Sequence, residues 1–321
     1  MKDFSLDERI NLAALVAVNG IGRVTIGRVV RILEVNQIKW SKFWINKRIW
    51  GLCGLNEKQK DSLKVFLKKN SPKDYYEFLQ SKGINVLIPT DINFPSLLLE
   101  IEQVPSVLFI RSKHQFAQFE LPIAVVGTRK MTTYGKYATQ KVVSELCLHG
   151  ATIVSGFMYG VDFTAHQTAL NNSGQTIAFL GFGFNFMYPK SQRTLFTQFF
   201  EKGMIFATEY PPHISPQKGY FVARNRLVAG TSLATLVVEA ARKSGSLITA
   251  QMALDNGRDI FTIPGPITHS NCHGTVELSN QGATVITSGH ELLGELSYGL
   301  KEGLQNRMKE NEINKKLSLV D

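Results

Sequence analysis

Basic residues directly follow an apolar run in the stretch AVVGTRKMTTYG, residues 124–135. The run ends in Gly127, and Arg129 and Lys130 follow after one intervening residue. Glycine lets the backbone approach a ligand closely, and Thr132 or its neighbour is placed to cap a helix whose N–H groups would face an anion. Guanidinium and ammonium groups bind phosphate oxygens strongly. The pattern therefore predicts a phosphate-binding loop.

The motifs that hold nucleotide cofactors are missing from this loop. After residue 126 the sequence reads GTRKMTTYG, which lacks both the G-x-G-x-x-G fingerprint of dinucleotide-binding proteins and the glycine–lysine pattern of a Walker loop. Arg129 stands at the position of the second glycine of the dinucleotide-binding fingerprint. These features fit an externally bound polyanion better than a buried pyrophosphate, so no NAD, ATP or other cofactor is predicted.

A second basic group lies in FVARNRLVAG, residues 221–230. Arg224 and Arg226 flank Asn225, and Phe221 lies three residues before the first arginine. Two guanidinium groups and an amide can bind successive phosphates, while an aromatic ring can stack on an unpaired base. The competing interpretation is a capped helix with surface arginines and a core phenylalanine, and the motif taken alone favours it.

The elements that position these groups are short apolar runs that alternate with helical stretches from residue 84 onward. Several runs are apolar on both faces, as in strands that helices cover on both sides. We therefore predict an α/β fold with an extended Rossmann-like, doubly wound and mostly parallel sheet. The predicted strands are INVLI (84–88), SVLFI (106–110), IAVVG (123–127), ATIVS (151–155), TIAFLG (176–181), MIFAT (204–208), ATLVVEA (234–240) and DIFTIPG (259–265).

Ligands of an open parallel sheet bind beyond the carboxyl ends of its strands, so the residues at these ends are candidates. Gly127 and Thr128 stand at one such end, and Ser155 and Gly156 stand at another. Two further strands are followed by GFGFNFMYPK, which ends in Lys190, and by ARKSGS, which ends in Ser244, Gly245 and Ser246.

Residues 1–80 are predicted to form a small all-helical N-terminal domain. The stretch LAALVAVNGIGRVTIGRVVRIL places apolar residues at helical spacing on either side of Gly20-Ile21-Gly22, which is similar to a helix-hairpin-helix. Such a hairpin can hold a phosphate on backbone N–H groups, but we favour the simpler interpretation of a tight turn in a helical bundle. The Rossmann-like domain is predicted to cover residues 81–295, and a polar tail residues 296–321.

The composition agrees with a polyanionic partner. The 321 residues include 36 Lys and Arg against 26 Asp and Glu, which gives a formal charge of +10, although ordinary solubility charge explains this balance equally well. The sequence holds neither a run long enough for a spanning helix nor the apolar core of a signal peptide, so we expect a cytoplasmic protein without membrane association. Three widely spaced cysteines predict free thiols.

Seven short motifs occur in a characteristic order. The sequence resembles the DNA-processing protein A family, also called DprA/Smf, over about 200 residues. The motifs that carry the resemblance are VGTR (126–129), VSGF (154–157), VDFTAH (161–166), YPK (188–190), RNR (224–226), VVEAARKSGSLITA (237–250) and IPGP (263–266).

The resemblance implies a homodimeric, non-enzymatic protein that binds single-stranded DNA through a basic pocket. It further implies that the chain protects incoming DNA and helps to load the RecA recombinase in natural transformation or homologous recombination. On the matching motifs, it assigns DNA contacts to Arg129, Lys190, Arg224, Asn225 and Arg226. With the residues added on physical grounds, the predicted DNA-binding set is Gly127, Thr128, Arg129, Lys130, Thr132, Ser155, Gly156, Lys190, Phe221, Arg224, Asn225, Arg226, Ser244, Gly245 and Ser246.

The sequence departs from the family pattern at several positions. Thr128 and Thr132 replace serines but keep a hydroxyl group that can donate to a phosphate. The stretch HSNCHGTVELSNQGA (269–283) lacks an asparagine and an aliphatic residue of the family pattern and has Val276 and Ser279 there. The polar tail is too short for the winged helix that ends many relatives, so we expect no contacts from such a module.

Two small clusters offer alternatives to DNA binding. His269, Cys272 and His273 form an H-x-x-C-H group, but a structural zinc site needs four ligands and no second pair lies nearby, so no metal is predicted. Asp162 and His166 are four residues apart, as an acid–base pair on one helix face would be. We prefer a helix start with a packed histidine for this pair.

The rival function is that of an enzyme. Phosphoribohydrolases of the lysine-decarboxylase-like type share a similar Rossmann outline, and Glu239 followed by SGS at residues 244–246 resembles a carboxylate beside a phosphate-binding loop. Their Pro-Gly-Gly-x-Gly-Thr signature is missing here, since the nearest strings, IPGP and CHGT, are separated and lack the paired glycines. DNA binding therefore remains the preferred function.

Overall fold

The computed structural model describes residues 4–114 and 119–297. They form two compact units, each built from two chain segments. The first unit draws on residues 1–119 and 176–231, and the second on residues 120–175 and 232–321. The predicted domain boundary at residue 80 stays a prediction, and the predicted tail, apart from residues 296 and 297, lies outside the described residues.

Twelve α-helices have defined bounds, and a further helical segment runs from residue 289 to the last described residue, 297. Within the described ranges, no helix is long and apolar enough to span a membrane. The helices are α1 Phe4–Ala17, α2 Arg23–Val35, α3 Trp40–Ile45, α4 Lys47–Leu52, α5 Glu57–Lys69, α6 Pro72–Ser81, α7 Thr133–Leu148, α8 Val161–Asn171, α9 Arg193–Glu201, α10 Lys218–Gly230, α11 Gly245–Asp255 and α12 His273–Asn280.

Eight of the nine strands coincide with the predicted apolar runs, and the ninth consists of two exposed residues. Every residue of β3 to β7 is buried, because helices cover both faces of these strands. The strands are β1 Asn85–Leu87, β2 Leu108–Arg111, β3 Pro122–Val126, β4 Thr152–Ser155, β5 Thr176–Phe179, β6 Ile205–Thr208, β7 Ala234–Val237, β8 Asp259–Thr262 and β9 Thr284–Val285.

Parallel pairing dominates the sheet. In the second unit the strand order is β4-β3-β7-β8-β9, and all four neighbouring pairs are parallel. In the first unit the order is β1-β2-β6-β5, where β5 and β6 are parallel while β1 and β2 add an antiparallel edge. The predicted fold class, an extended Rossmann-like and mostly parallel sheet preceded by helices, is confirmed.

Local sequence signals start and stop the N-terminal helices. Asn56 and Gln59 form a reciprocal capping box at the start of α5, and Ser71 and Asp74 form another at α6. Pro72 occupies the first turn of α6, where its missing N–H group costs nothing. These caps satisfy backbone donors that a helix start would otherwise leave unpaired.

The N-terminal helices pack on a buried aromatic cluster. The indole N–H of Trp44 donates to the side-chain oxygen of Asn11 at 2.6 Å, and that of Trp50 donates to the carbonyl of Phe43 at 2.7 Å. The turn between α1 and α2 passes through Gly20, whose φ of +77° is costly for other residues. Between residues 4 and 81 the described secondary structure consists of helices α1–α6 joined by short turns.

Candidate nucleic-acid interface

The loop after β3 carries two exposed cations. Arg129 and Lys130 both have exposed side chains, and among the described residues neither has a carboxylate partner. The loop begins at Gly127, where a Cβ atom would lie 2.5 Å from Cγ2 of Val161. Glycine is therefore required for the chain to leave β3 so close to α8. The loop can present both positive charges to solvent.

Hydrogen bonds to the backbone fix the shape of this loop. The N–H of Lys130 donates to the Thr128 hydroxyl at 3.2 Å, and its carbonyl accepts from the Asn271 side chain at 2.7 Å. Gly160 lies against the loop with a φ of +79°, and a Cβ atom there would meet the Thr128 carbonyl oxygen at 2.2 Å. The main chain of residues 128–130 is therefore bonded by Asn271 at Lys130 and packed against Gly160 at Thr128.

The carboxylate of Glu239, a residue just after β7, lies at the N-terminus of α7. Its carboxylate accepts hydrogen bonds from the backbone N–H of Thr132 at 2.9 Å and from the Thr132 hydroxyl at 2.5 Å. The same hydroxyl oxygen accepts from the N–H of Gly135 at 3.0 Å and so caps the helix. The predicted anion at this helix start is therefore supplied by the chain itself. That Thr132 contacts DNA stays a prediction.

The remaining predicted residues of the second unit lie at strand ends and a helix start. The Ser155 side chain is buried and donates to the Val125 carbonyl at 2.7 Å, and Gly156 is also buried. Ser244 caps α11 by accepting from the Ser246 N–H at 3.3 Å, while Gly245 is exposed. The hydroxyl groups of Ser155 and Ser244 thus have partners within the protein.

The arginines of the RNR motif lie on α10 in the first unit and are largely buried. Arg224 is 4% exposed, and its guanidinium donates to the carbonyl of Phe179 at the end of β5. Its Nε atom donates to the Asn225 side chain at 3.3 Å. Arg226 pairs with Glu209 at 2.5 Å, and their side chains are only 12% and 16% exposed. Both guanidinium groups attach α10 to neighbouring strand ends.

Replacing Arg224 with Met should lower the free energy of unfolding by roughly 1–3 kcal/mol, because the buried Phe179 carbonyl would be left without its charged donor. Urea denaturation measures this change. Arg193→Met, at the exposed first residue of α9, is the matched control. Its free energy of unfolding should stay within about 0.5 kcal/mol of that of the unmodified protein. A variant Arg224→Met as stable as the unmodified protein would contradict this anchoring role.

An aromatic surface accompanies the arginines. The Phe221 ring lies 5.2 Å from that of Tyr188 and 6.2 Å from that of Phe182, measured between centroids. Tyr188 is 41% exposed, so this pair offers a ring face to solvent. Lys190 follows Tyr188 and is exposed, as is Lys218, one helical turn before Phe221 on α10. Aromatic faces and flexible cations are thus neighbours in this unit.

Sequence reasoning did not assign roles to four residues of these surfaces: Tyr188, Lys218, Glu209 and Asn271. Tyr188 had a readable signal, because it immediately precedes the Pro-Lys pair after a predicted strand. Asn271 had none, because its bond to the Lys130 carbonyl joins positions 141 residues apart. Such long-range pairs follow from the fold rather than from local spacing.

Two clusters offered alternatives to DNA binding: Asp162 with His166, and His269 with Cys272 and His273. Asp162 and His166 are both buried in α8, and the Asp162 carboxylate accepts from the N–H of Met158 at 3.4 Å. Burial, together with the nearby Glu239 charge, raises the pKa of the Cys272 thiol. Among the residues that the structure describes, no group of three His, Cys, Asp or Glu side chains is placed to hold a metal ion.

The sequence is similar to one family of known proteins. Residues 85–297 match the family described as DNA recombination-mediator protein A. The chain is 37% identical to Protein Smf of Synechocystis over 87% of this chain and 70% of that protein. It is 34% identical to DNA processing protein DprA of Bacillus subtilis over 74% of this chain and 82% of that protein.

Two solved structures are similar to this one. The X-ray structure of DNA processing protein A from Streptococcus pneumoniae aligns with a TM-score of 0.71 at 29% identity, covering 90% of this chain and 97% of that one. The Helicobacter pylori protein, whose structure describes a single-stranded DNA binding mode, aligns with a TM-score of 0.59 at 30% identity. That alignment covers 68% of this chain and 96% of the other.

Proposed function

Because the chain belongs to the DNA recombination-mediator protein A family, we propose that it binds single-stranded DNA and passes it to a recombinase. The observation that carries the proposal is the exposed pair Arg129 and Lys130 on a loop held at the end of β3. The Helicobacter pylori relative, described with a single-stranded DNA binding mode, supports the choice of ligand. Binding of this kind requires positive charges that reach phosphates and rings that reach bases.

In the second unit, Arg129 and Lys130 neutralise phosphates. Gly127 and Gly156 contribute indirectly: Gly127 lets the chain leave β3 close to α8, and the buried Gly156 directly follows β4. We propose that the other predicted residues of this unit act from beneath or at the margin of the interface. They are Thr128, Thr132, Ser155, Ser244, Gly245 and Ser246.

In the first unit, Phe221 and Tyr188 stack on unpaired bases while Lys190 and Lys218 bind phosphates. Arg224, Asn225 and Arg226 hold α10 at the strand ends. Bases of B-form DNA are already stacked, so rings gain little from a duplex. This aromatic surface is the basis of the proposed preference for single strands.

Replacing Phe221 with Leu is expected to weaken single-strand binding by about 5- to 150-fold, since a stacked base contributes roughly 1–3 kcal/mol. The slope of log affinity against log salt should stay unchanged, because the substitution removes no charge. Fluorescence anisotropy of a labelled oligothymidine measures both. Phe221→Tyr keeps the ring and should bind like the unmodified protein; equal binding by the Leu variant would remove Phe221 from the interface.

We further propose that the protein acts by binding rather than by bond cleavage. Glu239, the carboxylate of the enzymatic alternative, has both oxygens bonded to Thr132, and a role as a general base would compete with these bonds. The finer parts of the proposal are loading of RecA, a homodimeric state, a cytoplasmic location and protection of incoming DNA. The family description as a recombination mediator supports the first of these.

The direct test is anisotropy of a labelled oligothymidine, alone and paired with its complement, at several salt concentrations. The proposal requires tight, salt-dependent binding to the single strand and at least about tenfold weaker binding to the duplex. RecA loading is tested by the ATPase of RecA on DNA coated with single-strand-binding protein. The chain should shorten the lag before RecA activity, and an unchanged lag would limit its role to DNA binding.

A further inference from the structure

Glu239 lies where a Rossmann fold usually binds a phosphate. It follows β7 by two residues, is 1% exposed, and places its carboxylate at the N-terminus of the helix that follows β3. In nucleotide-binding proteins of this architecture, the positive end of that helix binds the phosphate of the ligand. Gly135 leaves room for the carboxylate, since a Cβ atom there would lie 2.5 Å from Oε2.

The same residue holds both ends of the cationic loop. Its backbone carbonyl accepts from the N–H of Thr128 at 2.7 Å, and its carboxylate accepts twice from Thr132. Arg129 and Lys130 lie between these two attachment points. A loop fixed at both ends by one residue of a buried strand end has little freedom to move its side chains away from a bound strand.

Asn271 completes the attachment at the middle of the loop. Its side chain donates to the Lys130 carbonyl, and its own backbone carbonyl accepts from the N–H of Ala240 at 2.6 Å. Ala240 directly follows Glu239, so these attachments at the start, middle and end of the loop return to one short segment of the chain. The loop is therefore organised around residues 239–240.

We propose that Glu239 is a positioning residue that serves as a built-in substitute for phosphate and fixes the Arg129–Lys130 loop in its DNA-binding shape. This inference rests on the proposed function, because it assigns Glu239 an effect on DNA through Arg129. It also explains why a loop at this position binds phosphates with side-chain cations: the helix N-terminus is already neutralised.

The test is a double-mutant cycle between Glu239→Gln and Arg129→Ala, read as affinity for labelled oligothymidine. Glutamine keeps the size of the side chain but places an NH₂ group or a weaker acceptor opposite the Thr132 donors. In the unmodified protein the exchange should weaken binding about tenfold. In the Arg129→Ala background the decrease should be clearly smaller than tenfold, because only Lys130 is left for the loop to position.

An equal decrease in affinity in both backgrounds would overturn the inference, since a general disruption of structure acts whether or not Arg129 is present. Thr132→Ser and Thr132→Val provide a second comparison that does not alter Glu239. Serine keeps the hydroxyl donor, so the Thr132→Ser variant should bind DNA clearly more tightly than the Thr132→Val variant, which should reproduce the decrease. Equal binding by the two Thr132 variants would also contradict the proposal, and this comparison can be made even if Glu239→Gln does not fold.

The cycle separates failure of this inference from failure of the proposed function. If Arg129→Ala alone leaves single-strand binding unchanged, the proposed DNA-binding role of the loop is wrong. If Arg129→Ala weakens binding but Glu239→Gln and Thr132→Val do not, the loop binds DNA and only the positioning role of Glu239 is wrong.

Discussion

Replacing Arg129 with Ala is expected to lower the affinity for a single-stranded oligothymidine by about 10- to 150-fold. Hydrogen bonds to a charged group contribute roughly 1.5–3 kcal/mol, and the exposed Arg129 has no carboxylate partner among the described residues that would compete with a phosphate. The slope of log affinity against log salt should fall in magnitude by about 0.7 for each phosphate that is no longer neutralised. Anisotropy titrations at several salt concentrations give both values.

Lys141→Ala is the matched control for this prediction. It removes one positive charge from the same unit, and Lys141 is exposed on α7 more than two turns beyond the helix start. The control should reduce affinity only slightly, because long-range attraction between exposed charges is screened by salt. If Lys141→Ala and Arg129→Ala weaken binding equally, general charge rather than a defined phosphate site determines affinity.

Replacing Gly160 with Ala is expected to have the largest effect on both folding and binding. A Cβ atom would lie 2.2 Å from the Thr128 carbonyl oxygen and 2.9 Å from the Arg129 main chain, and the φ of +79° adds strain. Strain and overpacking each cost roughly 1–3 kcal/mol, so we expect a decrease of about 2–6 kcal/mol in the free energy of unfolding. The protein can relieve this clash by displacing the Arg129–Lys130 loop. Displacement of the loop should also weaken DNA binding.

Gly150→Ala is the control that separates the backbone strain of a positive φ from the steric clash at Gly160. Gly150 has a φ of +76°, nearly that of Gly160, but nothing lies within 4 Å of its would-be Cβ atom. This control should cost about 1–2 kcal/mol in urea denaturation and leave DNA affinity unchanged. If Gly160→Ala and Gly150→Ala lower the free energy of unfolding and the DNA affinity to a similar extent, the close packing of Gly160 on the loop does not contribute to DNA binding.

The sequence predicted the fold well because burial on both faces leaves a strong local signal. The run IAVVG is apolar throughout and ATIVS is apolar at three of its five positions, and each forms a buried, parallel strand of the sheet. The exception is β9, Thr284–Val285, whose two residues are exposed and therefore leave no apolar pattern. The family identified from seven motifs is confirmed by the match over residues 85–297.

The sequence identified the candidate loop but not its internal hydrogen bonds. The rule that ligands bind beyond strand ends identified the Arg129–Lys130 loop, which is exposed as that role requires. The bond between Glu239 and Thr132 joins residues 107 positions apart, and no local pattern encodes it. The burial of Arg224 was equally hidden, because its partner is the main-chain carbonyl of Phe179, which any residue type would supply.

Photo-cross-linking is the most direct test of single-stranded DNA binding at these two surfaces, because it locates the DNA on the protein. An oligothymidine carrying 4-thiothymidine would be irradiated with the full chain, and cross-linked peptides would be identified by mass spectrometry. Cross-links are expected in the loop at residues 127–132 and around Tyr188 and Phe221, with those at Phe221 abolished in Phe221→Leu. Cross-links confined to the helices of residues 1–80 would contradict DNA binding at these two surfaces.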